Sequence, residues 1–324
     1  MRRREFITLL VGATAAWPLM SRAQGRTARV GVLMVVAETD PESERLAGAF
    51  EKGLDEAGWH KGRNLELTYR WSASNPDLLS RYAEELVRGA PDILLAFGTA
   101  ALIPLHKATT TIPIVFAAIS DPVGQGFVTS VSHPGGNVTG FSNFDPDIGS
   151  RWLQVLKDAA PAVTRVAVMF NPRTSPYNAL WMQAAPGFQV SVSQVSVQSD
   201  EEIRNTITGL GTKPGSGLLV PSDSFTYIRS AMIAALANGN QVPAIYAFPR
   251  FVHDGSLIAY GVDLADQIRN AGGYVAQILK GDNPADLPIQ APTRYTLAIN
   301  LKAANALGLS LPHGLLNAAD EVIE

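Results

Sequence analysis

At 324 residues the chain is too long for one small core and suits two globular lobes. Its 26 Lys+Arg against 29 Asp+Glu give a net charge of −3, which sets aside a nucleic-acid binder driven by counterion release. The absence of cysteine excludes disulfide scaffolds, thiolate metal sites, cysteine nucleophiles and a lipidated N-terminal cysteine.

Residues 1–23 read as an export signal. Arg2, Arg3 and Arg4 precede an apolar stretch from Phe6 to Met20, and Ser21-Arg22-Ala23 supplies a small-residue cleavage site. Arg3-Arg4-Glu5-Phe6-Ile7 fits the twin-arginine form, with an ordinary secretory signal as the alternative. The stretch is shorter than the ~20 residues a hydrocarbon core needs, and no later run is longer, so no stable membrane insertion is expected once the signal is removed. Removal takes four Arg and one Glu, leaving 22 Lys+Arg against 28 Asp+Glu, a net charge of −6. A soluble periplasmic protein, monomeric, is the expectation.

From Arg29 onward strands and helices alternate. Val30–Val36 is a continuous apolar run, the signature of a strand buried on both faces of a parallel sheet. Ser43 can cap a helix carrying Leu46, Phe50, Leu54 and Ala57 on one face, and Gly58 ends it. Leu65, Leu67, Tyr69 and Trp71 alternate along a second strand, and Asn75-Pro76 opens a helix running to Arg88. Further strands are predicted at 92–97, 112–116 and 138–141. The second half repeats the pattern at 165–170, 189–197, 217–220, 242–246 and 256–260, with helices over 225–237 and 264–279. Such alternation means βαβ units with right-handed crossovers.

So many strands call for two sheets. The chain is expected to change lobe at the turn-rich Ser132–Gly136 leading into Val138–Phe141, again at Gly261-Val262-Asp263, and a third time at Leu287–Ile289. The division is therefore residues 28–141 plus 263–287 as lobe 1, and 142–262 plus 288–324 as lobe 2. The fold class is α/β, two doubly wound parallel-sheet lobes joined by three crossing strands.

Enzyme signatures fall short. Gly215-Ser216-Gly217 is not a nucleophile elbow, Gly124-Gln125-Gly126 fails dinucleotide-binding spacing, and no Walker lysine follows a Gly-rich loop. The five histidines show no ligand pairing, so no metal and no cofactor is expected. What remains are small polar groups at strand ends, where open α/β sheets hold ligands. Candidate ligand-binding residues are Glu38, Gly98, Thr99, Ala100, Ser120, Asn171, Asp223, Tyr246 and Phe248. Gly98 lets backbone approach a ligand, and Thr99 offers a hydroxyl beside the Ala100 amide, an arrangement suited to a carboxylate. Asp223 can accept from an ammonium, and Tyr246 and Phe248 can stack on an apolar or aromatic group. Thr99, Ser120 and Asp223 can equally be helix caps, Asp121 an N-cap before Pro122, and Glu38 a solvated loop residue.

Several segments together resemble a known family. They are Gly53-Leu54-Asp55-Glu56-Ala57-Gly58-Trp59 with Gly62-Arg63-Asn64, Thr110–Phe116, Asp121-Pro122-Val123-Gly124, His133–Gly140, and the C-terminal Asn300–Ala304, Ala306–Leu309 and Leu315–Glu324. With the N-terminal Arg2–Leu10, they make the chain similar to periplasmic substrate-binding proteins of ABC transporters, the family that includes tryptophan/tyrosine-binding proteins. The resemblance implies a type I periplasmic-binding fold, no catalysis, a small organic ligand in the inter-lobe cleft and an inner-membrane ABC permease as partner. It carries ligand contacts onto Gly98, Thr99, Ala100, Ser120 and Asp223. Two other classes stay open at this point: a periplasmic sensor feeding a membrane receptor kinase, and an exported hydrolase.

Overall fold

The computed structural model describes residues 27–143, 145, 147–175, 187–292 and 294–324. The export signal expected at 1–23 lies outside them. Two sheets organise the described chain. The first has five parallel strands, β1 (Ala28–Met34), β2 (Leu65–Trp71), β3 (Ile93–Phe97), β4 (Ile114–Ile119) and β5 (Val138–Ser142), in the order β2-β1-β3-β4-β5. β3, β4 and β5 are buried along their whole length, as a central parallel sheet requires. Helices α2 (Pro76–Arg88) and α3 (Thr99–Ala108) pack together over β1, β3 and β4, while α1 (Pro41–Glu56) packs on a later helix described below.

The second sheet has seven strands, β6 (Arg165–Phe170), β7 (Ser191–Ser196), β8 (Ser216–Val220), β9 (Ala244–Tyr246), β10 (Ile258–Val262), β11 (Tyr295–Asn300) and β12 (Glu321–Ile323), ordered β12-β11-β10-β9-β8-β6-β7. All its pairings are parallel except β10–β11, which is antiparallel. Neither β11 nor β12 is anticipated by the alternation of strand and helix. β11 enters straight from a crossing segment with no crossover helix beside it, and β12 is too short to carry a periodic signal.

Local chemistry explains the helix boundaries. Asn75 accepts from the amides of Asp77 and Leu78, with Pro76 at the first helical position. At α1 the cap is Asp40, not Ser43, because Pro41 fixes the start three residues earlier; the Ser43 hydroxyl donates back to the Glu38 and Asp40 carbonyls. After α5 (Asp200–Gly211), the single helix expected over 225–237 is two, α6 (Ser224–Tyr227) and α7 (Ser230–Gly239), broken at Ile228-Arg229. Asp121 caps no helix; it accepts from the Gly124 amide and fixes a turn.

α4 (Ile148–Ala159) follows β5 and packs on β9 and β10, so the chain passes to the second sheet just before it. It returns after β10: α9 (Leu264–Leu279), capped by Asp263, packs against α1, β4 and β5. The third passage lies after Gln290, later than the expected Leu287–Ile289. Ile289 still donates to Val131, and Gln290 exchanges backbone bonds with Gly140 and Ser142, extending the edge of β5. Among the described residues, no group of three or more His, Cys, Asp or Glu could hold a metal, and no helix is long and apolar enough to cross a membrane.

Candidate ligand-binding site between the two sheets

The strand orders determine where the site must lie. In the order β2-β1-β3-β4-β5 the chain diverges between β1 and β3, leaving a crevice beyond their carboxyl ends. The second sheet, taken from its other edge, runs β7-β6-β8-β9-β10 and repeats that pattern, with its crevice between β6 and β8. The two crevices open on one narrow cavity. Val35 borders it after β1, Gly98 and Thr99 after β3, Thr174 after β6, and Ser222, Asp223 and Ser224 after β8. Phe97, Ala118, Tyr227, Phe248 and Leu264 complete its apolar wall.

On the first-sheet side, Gly98 turns the chain with φ 87°, ψ 148° and caps α3 without a side chain. A Cβ there would sit 3.0 Å from Val35 Cγ1, in a backbone conformation L residues avoid. The Gly98 carbonyl accepts from Ala101 and Leu102, whereas the Thr99 and Ala100 amides have no acceptor among the described residues. Two free N–H groups at the start of a ten-residue helix favour an anion.

Opposite them is Asp223, 3% exposed. Its Oδ2 accepts from the Asn171 amide at 2.8 Å; its Oδ1 accepts from the Phe225 amide at 3.0 Å and from the Thr174 hydroxyl. Burial pushes its carboxyl above the ordinary range, and the bonds from Thr174, Asn171, Phe225 and Thr226 oppose that without cancelling it. Asp223 thus caps α6 and pins the loop after β6 while bordering the cavity, so the capping and ligand readings of this residue are compatible.

Side chains from the two halves meet around the cavity. Arg250 in α8 (Arg250–His253) donates from Nη1 to Asp40 Oδ1 at 2.9 Å, and the Tyr227 hydroxyl donates to Glu42 Oε2 at 3.1 Å. Ser74 Oγ donates to the Ser224 carbonyl at 3.2 Å. Ser120 Oγ donates to Asn143 Oδ1 at 2.9 Å, and Asn143 Nδ2 donates to Ser222 Oγ at 2.7 Å, a polar chain from β4 to the loop after β8. The cleft is closed. Glu42 feels burial, which alone would raise its pKa, yet the bond and charge of Arg45, the Tyr227 hydroxyl and the Arg250 charge hold it below the ordinary carboxylate value.

Of the residues singled out by sequence, Gly98, Thr99, Asp223 and Phe248 border this cavity together. Ala100 lies buried beside Thr99 in the first turn of α3 and does not itself border the cavity. Ser120 reaches the cavity wall only through Asn143 and Ser222, and Asn171 stands behind Asp223 as a backbone donor. Two expectations need correction. Tyr246 points into the second core, 1% exposed and stacked on Phe251 at 4.4 Å, because β9 is buried on both faces and no alternation marks its cleft side. Glu38 is exposed and lines a separate surface cleft with Glu51, Lys61, Tyr69 and Trp71. Sequence gave no warning of Tyr227, hidden in an apolar helical pattern, or of Asp40, Glu42 and Arg250, whose partners lie across the cleft. Ala118 was also missed: it sits at φ 62° where the β4–β5 register shifts, a bulge with no sequence marker.

Residues 29–323 match the family described as ABC transporter substrate binding protein. The tyrosine-binding protein of Clostridioides difficile (strain R20291) is 25% identical over 285 residues, covering 86% of this chain and 81% of its own. Among solved structures, an ABC domain in complex with L-Trp from Streptococcus pneumoniae is 26% identical, with TM-score 0.85 over 92% of this chain and 100% of its own. A conserved domain protein from Vibrio cholerae gives 27% identity and TM-score 0.85 over the same shares, 92% and 100%. The ligand-free, open structure of a Clostridium difficile substrate binding protein gives 24% identity and TM-score 0.67 over 92% and 99%. On a match running from the first strand to the last, this chain, a solute-binding protein of the type I periplasmic-binding fold and not an enzyme, belongs to the ABC transporter substrate binding protein family.

Proposed function

We propose that this chain is the exported solute receptor of an ABC importer, that it takes an α-amino acid with an aromatic side chain into the inter-lobe cavity, and that it delivers the ligand unaltered to an inner-membrane permease. One observation carries the ligand class: the Thr99 amide, which like that of Ala100 beside it has no acceptor among the described residues, and the buried Asp223 carboxylate border a single cavity. A zwitterion fits that polarity, with its carboxylate on the α3 N-terminus and its ammonium toward Asp223. Charge-assisted bonds of this kind contribute roughly 1.5–3 kcal/mol each. Tyr227 and Phe248 offer aromatic edges to the side chain. The tyrosine and tryptophan named for the relatives support the same class.

Only in the closed form do both halves touch the ligand, so binding shifts the population toward closure. Titration calorimetry with L-tryptophan and L-tyrosine, beside tyramine and 3-(4-hydroxyphenyl)propionate, tests the assignment. Each analogue lacks one charged group and is expected to bind at least tenfold more weakly than the parent amino acid. Equal binding by either analogue would remove the corresponding contact from the site.

A further inference from the structure

A second, wider cavity adjoins the first, and Tyr227, Phe248 and Leu264 border both. The two differ in chemistry. The outer one is rimmed by Glu42, Arg45, Arg250, His253, Asp263 and Glu321, and these groups already have partners: Arg45 with Glu42 at 2.7 Å and Asp263 at 3.5 Å, Arg250 with Asp40 at 2.9 Å, and His253 hydrogen-bonded to Glu321 at 2.9 Å. It therefore offers an ionic head group little that the inner cavity does not offer better. A zwitterionic head belongs inside, against Thr99, Ala100 and Asp223, and any surplus ligand length has to pass the shared wall.

Tyr227 is the fixed part of that wall. It is 3% exposed, its ring stands edge-on to Phe248 at 5.2 Å and 83°, and the Arg250 guanidinium lies 4.8 Å from the ring centroid. Its hydroxyl is bound to Glu42 of α1, on the opposite side of the cleft. The ring is thus locked only when the halves meet, so closure itself completes the partition. We propose that Tyr227 determines specificity by length: it seals the inner cavity behind a single aromatic side chain and excludes amino acids whose side chain would extend into the outer cavity. This rests on the amino-acid reading above.

The test compares L-tyrosine with O-benzyl-L-tyrosine, which keeps the same head group and lengthens only the side chain, by calorimetry on the mature protein. The parent is expected to prefer L-tyrosine at least 100-fold. Tyr227→Ala should cut that preference to less than tenfold, chiefly by admitting the longer ligand. Tyr227→Phe should keep the preference while weakening both ligands several-fold, since the ring stays and the bond to Glu42 goes. Tyr227→Leu shortens the wall while preserving apolar packing, and stands in should the alanine variant not fold. Parent binding of both ligands with equal strength, or a preference unmoved in both shortened variants, overturns the proposal alone. Binding of neither ligand by the parent overturns the amino-acid reading, and this inference with it.

Discussion

Arg250 reaches across the closed cleft to Asp40, Nη1 to Oδ1 at 2.9 Å, with side chains only 15% and 10% exposed. The contact joins α8 on the second sheet to the N-cap of α1 on the first, so it exists only when the halves touch. Asp40→Asn isolates the charge. Asparagine still caps α1 through its side-chain oxygen, but the guanidinium loses its cross-cleft anion. Truncating one partner of a desolvated pair costs ~2–5 kcal/mol, and opening of the cleft relieves part of it. Ligand affinity is expected to fall at least tenfold, ~1.4 kcal/mol, with a larger radius of gyration for the ligand-free protein by X-ray scattering. Unchanged affinity with unchanged scattering would show that the pair does not hold the cleft.

Asp223 gives the site a pH dependence whose sign can be worked out. Its folded-state pKa is raised above 3.8 by burial, so between those two values the folded chain holds a proton that the unfolded chain has lost. Its own contribution to stability therefore declines as pH rises through that window. Ligand binding runs the other way, because an ammonium favours the carboxylate. Affinity should rise with pH through the window and then level off, with a proton released on binding at its lower end. Calorimetry in buffers of different ionisation enthalpy reads that proton, and Asp223→Asn should abolish it. Proton release that persists in the variant would assign it elsewhere; Glu42, whose depressed pKa makes its closure-linked contribution fade only below about pH 4.5, is the group to examine next.

Much of this architecture is legible from residues alone, and the reasons differ by element. Val30–Val36 and 92–97 announce buried parallel strands by unbroken hydrophobicity, and Asn75-Pro76 and Asp263 announce helix starts by capping chemistry. Gly98 and Asp223 were reachable because strand-end loops are where α/β sheets bind. The strand order was not reachable, and it alone brings the β1/β3 and β6/β8 crevices onto a common cavity. Tyr246 illustrates the limit: in a strand buried on both faces, adjacent residues carry no sign of which one meets the cleft. Asp40, Glu42 and Arg250 read as ordinary surface charges because their pairing is long-range.

Asn143 is the polar link between β4 and the loop after β8, accepting from Ser120 and donating to Ser222. Asn143→Ala removes both bonds, at ~0.5–1.5 kcal/mol each, and only the bond to Ser222 crosses to the second sheet. Ser120→Ala leaves that crossing bond in place. The alanine at 143 should thus weaken ligand binding several-fold and the alanine at 120 much less, as read by calorimetry. Equal losses would place the effect in the first sheet and not in closure.

Gly53 and Gly48 lie on the same helix and should respond to alanine with opposite signs. At Gly53, α1 packs so closely on α9 that a Cβ would stand 2.0 Å from the Arg269 carbonyl oxygen; on the facing helix, a Cβ at Gly272 would meet the Phe50 carbonyl oxygen at 2.8 Å. These are backbone atoms and cannot swing aside, so Gly53→Ala must push the helices apart and disturb the packing of Phe50 and Leu54, both fully buried. A loss of ~1–3 kcal/mol is expected, as for other overpacked sites. At Gly48 an added Cβ has nothing within 4 Å, and the helix gains the ~1 kcal/mol by which alanine exceeds glycine in helix propensity. Thermal or urea unfolding of the two variants beside the parent decides the matter. A Gly53→Ala protein as stable as the Gly48→Ala protein would mean that α1 and α9 are free to separate, and that the first lobe is held together elsewhere.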